Sequence, residues 1–255
     1  GSEMCIRDSA YTAGDHTNYN FEIDPEHLDG ALDRFAQFFT APLFNTQYLE
    51  RERRIVDSEH SKNIPNDFRR LFEVRKQTYV PGHPLQKFST GNLQTLGFTT
   101  RDDVIDFYAR YYSSNRMTLA VSGTQSLDEL QEMVVPRFYE IVDRNLDEIT
   151  FPTEYLAPNS RFRLLQVKPL SEIRSLTLSF PLPSTQQYYS SQPLNLLGFL
   201  VGHEGKGSLL SLLKSKNLAT GLSAGAGSST NSYSSFEVTV QLTPRGVGRY
   251  RDVIT

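Results

Sequence analysis

Tryptophan is absent from this chain, and cysteine occurs once, at Cys5. A lone cysteine excludes an internal disulfide framework and any thiolate-rich metal centre. Charge of one sign is not in excess: 26 Lys and Arg stand against 29 Asp and Glu, a formal net charge of −3. That near balance argues against nucleic acid or an anionic membrane as a partner. No apolar run approaches the length of a bilayer span, and no signal-peptide pattern is visible. Histidine is scarce as well. His16, His27, His60, His83 and His203 include no pair at HExxH or HxxEH spacing, so no two imidazoles share a helical face as zinc ligands.

What is present fits an ordinary globular chain of 255 residues, a length for one large domain or two medium ones. The opening GSEMCIRDS has no periodicity and starts with Gly-Ser, so we expect residues 1–9 to be a non-native leader. The end, RDVIT, stops without a helix-stop signal, and both ends look cut. NYNFEI (Asn18 to Ile23) alternates polar and apolar as a half-buried strand does. Asp24-Pro25 opens a helix carrying Leu28, Ala31, Leu32, Phe35 and Phe38, which Pro42 ends. A second helix covers Thr46 to Lys62, and Pro65-Asn66-Asp67 starts a third. Residues 82–98 are loop-like, and Thr100 caps a helix running through Tyr112. MTLAVS (Met117 to Ser122) is expected as a buried strand, then Ser126 to Ile141 as a helix with Leu127, Leu130, Met133 and Val134 inward.

Pro152 and Pro158 mark a linker. After it the pattern restarts with strands at Phe162 to Val167 and Leu176 to Phe180. Helices follow at Gln192 to Gly202 and Ser208 to Lys216, then strands at Leu218 to Gly227 and Phe236 to Leu242. The fold class is α+β, as two consecutive layered units. We divide the chain into the leader 1–9, a first domain over 10–148, a linker over 149–159 and the start of a second domain over 160–255.

One stretch stands out chemically. In RERRIVDSEHSKN, Glu52 and Glu59 lie seven residues apart, about two helical turns, with Val56 between them on the same face. A charge-rich helix is ordinarily a solvated face whose Arg and Glu trade i,i+4 pairs. Here Leu49, Glu52, Val56, Glu59 and Asn63 form one mixed stripe, while other Arg and Lys serve the opposite face. A carboxylate buried on such a face must be paired or metal-bound. Glu59 alone cannot make a catalytic zinc site, which needs about three protein ligands. His60 projects about 100° away from it.

The blocks AYTAGDHTNYNFEI, ALDRFAQFFTAPLF, RERRIVDSEHSKNIPND and LVGHEGKGSLLSLLKSK together resemble the insulysin/pitrilysin group of the inverzincin zinc metallopeptidases, the insulinase family. The resemblance runs from Ala10 to near the end and is closer to the insulysin-like members than to mitochondrial processing peptidases. It implies two α+β sandwich domains, the first lacking its N-terminal part and the second its C-terminal part, drawn from an endopeptidase that hydrolyses peptides in an enclosed chamber. It implies a zinc cofactor with Glu59 as one ligand of three and Glu52 as the acid supporting the site. The HxxEH segment, with two zinc histidines and the general base, would lie upstream and is missing here.

For substrate contact the resemblance implies Ala10, Tyr11 and Thr12 as an edge strand pairing with peptide. It also implies a site for the peptide N-terminus at Gly202 and Glu204, with Leu222, Ser223 and Ala224 alongside. An ordinary strand start and a Gly-rich helix-entry turn remain the plain alternatives, and a phosphate loop is disfavoured because GHEGKGS lacks the GxxxxGK[ST] spacing. The implied partners are peptide substrates and the remaining parts of the parent enzyme; a periplasmic location follows only for a bacterial source. A non-catalytic scaffold or partner subunit, or a peptide-binding homologue of the same fold, is the alternative. We expect marginal stability, since Phe35, Phe38 and Val56 would lose cover; a sharp cooperative melt of monomeric protein would contradict this.

Overall fold

The computed structural model describes residues 7–160 and 162–255. Cys5 and most of the leader expected over 1–9 lie outside the described residues. Two strands come first, β1 (Arg7–Thr12) and β2 (Thr17–Glu22). Helices α1 (Leu28–Thr40), α2 (Thr46–Asn63), α3 (Asp67–Arg75), α4 (Leu93–Leu96), α5 (Arg101–Tyr111) and α6 (Leu127–Phe138) follow. Then come β3 (Ser175–Pro183), α7 (Pro193–Val201), α8 (Leu209–Ser215), β4 (Ala219–Ser229), β5 (Tyr233–Leu242), α9 (Pro244–Gly248) and α10 (Tyr250–Ile254). The chain forms two compact units. The first lies within Gly1–Asn63 and Phe88–Ile149, the second within Ile64–Lys87 and Thr150–Thr255.

In the first unit β1 and β2 pair antiparallel, with Ala10 opposite Tyr19. Leu28 and Leu32 of α1 meet Leu130 of α6, with Phe21, Ile23 and Met133 packed around them. This buries the stripe that the spacing of α1 predicts. Phe35 extends the core by edge contacts to Phe21, at 5.0 Å, and Phe39, at 5.3 Å. The helix starts are chemical. Thr100 and Asp103 exchange capping bonds at α5, and Ser126 and Glu129 do the same at α6. Each cap satisfies amide donors that a first turn leaves orphaned.

Four expectations fail here for identifiable reasons. Asp24 makes no side-chain cap; a 3₁₀ turn at Pro25–His27 intervenes, and the Asp24 carbonyl accepts from the His27 N–H. Leu127 is 83% exposed although its spacing puts it on the face of Leu130 and Val134, because it is the first residue of α6 and stands at the helix end. Residues 117–122 are neither a strand nor buried, and residues 162–167 form no strand. Both stretches are apolar enough for a sheet, yet among the described residues no strand pairs with them, and pairing is what makes a strand. Phe38 stands exposed as expected, while Phe35 and Val56 are half-buried.

The second unit is built on an antiparallel sheet of order β3-β5-β4. Phe236, Val238, Val240 and Leu242 alternate along β5 onto one face. There they pack with Leu210 and Leu213 of α8 and Leu222 of β4. Glu237, on the opposite face, receives a 2.8 Å bond from Arg75 at the end of α3. Tyr155 packs against Tyr233 with its ring tilted, at 4.2 Å between ring centres. Thus β5 is covered on both sides.

The start of α3 carries a tight clamp. Asn66 caps the helix through the Phe68 and Arg69 amides. The Asp67 carboxylate accepts from the Ser171 hydroxyl at 2.6 Å, from the Leu170 and Ser171 amides, and from Arg70. These bonds, the Ser171 hydroxyl foremost, hold its carboxyl well below the usual carboxylate range. A carboxylate with a depressed folded pKa stabilises above its unfolded value, about 3.9, and loses that contribution as pH falls through the folded one. Urea midpoints should therefore fall as the pH drops below about 4, with a shallower acid slope in Asp67→Asn; identical slopes in both proteins would contradict the clamp.

Candidate functional site

Arg, Glu and Lys, all good helix formers, fill α2, and the chain meets no Pro until Pro65. One face of the helix is fastened to the segment after residue 87. Arg53 Nη1 donates to the Gly97 carbonyl at 2.6 Å and to Thr99 O at 3.3 Å. Asp57 Oδ1 accepts from the Leu93 amide at 2.9 Å, capping the start of α4. His60 packs edge-on to Phe88 at 5.0 Å. A Cβ at Gly91 would lie 3.5 Å from Val56 Cγ1. The fastened face is thus Arg53, Val56, Asp57 and His60.

Glu52 and Glu59 flank that face and are exposed. The mixed stripe is therefore half right: Leu49, Val56 and Asn63 are half-buried, and the two acids between them are not. Among the described residues neither acid forms an ion pair with a neighbouring Arg or Lys, so the i,i+4 trade does not occur. Among the described residues no group of three His, Cys, Asp or Glu could hold a metal ion. One helical carboxylate is the whole donor set that Glu59 brings, so these residues do not constitute a zinc site by themselves.

Ala10, Tyr11 and Thr12 lie in β1 and are exposed, paired on one side only with Tyr19, Asn18 and Thr17 of β2. The other edge of β1 carries no strand among the described residues. Tyr11 also meets the His16 ring edge-on at 5.7 Å.

In the second unit Gly202, Glu204, Leu222, Ser223 and Ala224 come together. They line one open groove of about 640 Å³ between α7, the turn after it and β4. Among the described residues β4 is a sheet edge, paired only with β5, and residues 222–225 of it line the groove. Leu222 reaches into the core and fixes the strand. The turn is a helix entry, as the plain reading has it: Gly207 takes φ +86, and Ser208 caps α8 through the Ser211 amide. It also presents Glu204 and His203 to the groove, so the two readings are compatible. Asn195, Gly198 and Phe199 of α7 line the groove too and were not anticipated. Gly198 left a faint signal, a poor helix former inside the apolar helix PLNLLGFLV, which is consistent with close packing.

Known proteins share this sequence and fold. Residues 2–87 match the family model described as insulinase (peptidase family M16), and residues 99–255 match that of the peptidase M16 inactive domain. The chain is 43% identical to the human (Homo sapiens) insulin-degrading enzyme, over 99% of its own length and 26% of that protein's. It is 37% identical to the A-factor-processing enzyme of Saccharomyces cerevisiae, over 96% of this chain and 25% of that one. It is 39% identical to a Schizosaccharomyces pombe protein whose name describes it as a zinc protease, over 96% and 26%. The crystal structure of pitrilysin superposes with a TM-score of 0.88 at 25% identity, covering 98% of this chain and 27% of that one. The chain spans about a quarter of the length of these relatives.

Since Arg53 bonds two carbonyls from a half-buried position, Arg53→Ala should cost about 1–3 kcal/mol and speed hydrogen exchange in α4. Urea unfolding unchanged from the parent chain would show that these bonds do not hold α2.

Proposed function

The chain belongs to the insulinase family of peptidases, peptidase family M16, and on that premise we propose that it is part of a zinc-dependent endopeptidase acting on peptides within an enclosed chamber. The observation that supports peptide handling most is the groove itself: Gly202, Glu204, Leu222, Ser223 and Ala224 line one cleft, and β4 has an edge that no strand pairs with among the described residues. A strand edge offers amides and carbonyls to an extended peptide. Glu204 offers a carboxylate to its α-ammonium, a charge-assisted contact. In this reading Ala10, Tyr11 and Thr12 pair with the peptide as a second edge. Glu59 supplies one zinc ligand and Glu52 orients it, with the other ligands coming from outside these 255 residues.

The reading carries a negative corollary. The sequence contains no HxxEH, and hydrolysis at an activated water needs both a complete ligand set and a base. The chain alone therefore has no peptidase activity. A second reading, a non-catalytic scaffold or peptide-binding homologue, is favoured by one finding: residues 99–255 match a model described as an inactive domain.

Incubating the chain with zinc and a quenched fluorescent peptide should give no cleavage above the zinc blank, and cleavage would overturn the corollary. The source DNA ahead of the Ala10 codon decides between the two readings. An in-frame HxxEH is the expected result, and a native frame continuing without it would leave the non-catalytic homologue.

A further inference from the structure

Gly198 lies near the middle of α7 and is buried, although glycine is a poor helix former. A Cβ there would sit 2.8 Å from the Ala224 carbonyl oxygen, 3.0 Å from Gly225 Cα and 3.3 Å from Ala224 C. All three atoms are backbone, so no side-chain rotation relieves the contact. The helix therefore lies directly against the main chain of β4, at the two residues that floor the groove. One turn on, a Cβ at Gly202 would lie 3.5 Å from Ala224 N, so the approach continues along the same helix face.

We infer that Gly198 is a positioning residue that sets the spacing between the two walls of the groove. The inference rests on the groove being the peptide site proposed above. One wall is Asn195 and Phe199 of α7 with Glu204 of the following turn; the other is Leu222, Ser223 and Ala224 of β4. If a methyl group is added at 198, one wall must retreat. β4 is paired with β5 without a break from Gly221 to Ala226 and anchored in the core through Leu222, so it is the fixed wall. α7 is the wall that yields, because it meets the core only through the partly buried Leu194 and Val201, and its outward residues Leu196 and Leu200 are exposed with nothing among the described residues behind them. Its retreat carries Glu204 away from the β4 edge. A peptide could then satisfy the strand edge or the carboxylate but not both, so the penalty falls on ligands with a free amine.

The test titrates the chain with a short, labelled extended peptide bearing a free α-amine and with its N-acetylated twin, for the parent chain, Gly198→Ala, Glu204→Gln and Gly248→Ala. Gly248 lies in α9, where a Cβ would meet nothing, so it controls for a glycine replaced in a helix away from the groove. We expect Gly198→Ala to raise Kd for the free-amine peptide by about tenfold or more, to shrink the preference over the acetylated twin, and to keep the number of binding sites. Gly248→Ala should behave as the parent. Loss of sites at unchanged Kd would mean a structural role only and overturn the inference, as would an unchanged Kd and preference. If the parent shows no free-amine preference and Glu204→Gln changes nothing, the groove reading itself fails and the inference falls with it. If Gly198→Ala is unfolded in buffer, trimethylamine oxide in all samples restores folding and the same criteria apply.

Discussion

The second unit depends on one strand. β5 pairs with β3 on one edge and β4 on the other, carries the apolar core on one face, and meets Arg75 and Tyr155 on the other. A strand so enclosed cannot shift register without moving every side chain to the wrong face. β5 holds β4 along one edge, and among the described residues the opposite edge of β4 carries no strand. The groove exists because a well-held strand was left uncovered on one side while α7 was brought close enough to wall it.

The first unit solves a different problem. α2 is too polar to be held by apolar burial, so it is fastened by Arg53 on two carbonyls, Asp57 on the first amide of α4 and His60 on Phe88. Such polar fastening fixes rotation about the helix axis, since each bond has a direction. It thereby fixes where Glu52 and Glu59 point, into solvent on the flank of the fastened face. A carboxylate held out in this way remains available to a ligand brought from elsewhere. That fits the proposed role of Glu59 better than the expected burial did.

Helices were legible in the sequence because their signals are local. The Thr100–Asp103 and Ser126–Glu129 boxes and the Asn66 cap form where the spacing places them. Strands depend on a partner that spacing cannot name. MTLAVS and FRLLQV have strand composition and no strand to pair with among the described residues, whereas the equally apolar β5 has two. The groove residues in the turn and on β4 were legible only through family resemblance, which tracks motifs. Gly198 and Phe199 were missed because α7 reads as an ordinary apolar helix, and the meaning of its glycine lies in a backbone that approaches from β4. The acids of α2 were placed on the right helix but assigned the wrong exposure, since Arg53 and Asp57, which look like surface charges, are the groups that pack.

The bond from Arg75 to Glu237 spans 162 positions of sequence. On a ribosome, α3 emerges long before the strand that receives it. Until β5 is made, Arg75 lacks its carboxylate partner, while the intervening stretch from Phe88 to Ile149 belongs to the other unit. Closing so long a loop carries an entropic cost that only the finished sheet repays. The second unit thus joins two stretches made at different times, and a nascent chain released before Glu237 would hold the start of α3 through the Asp67 clamp but leave Arg75 without its carboxylate.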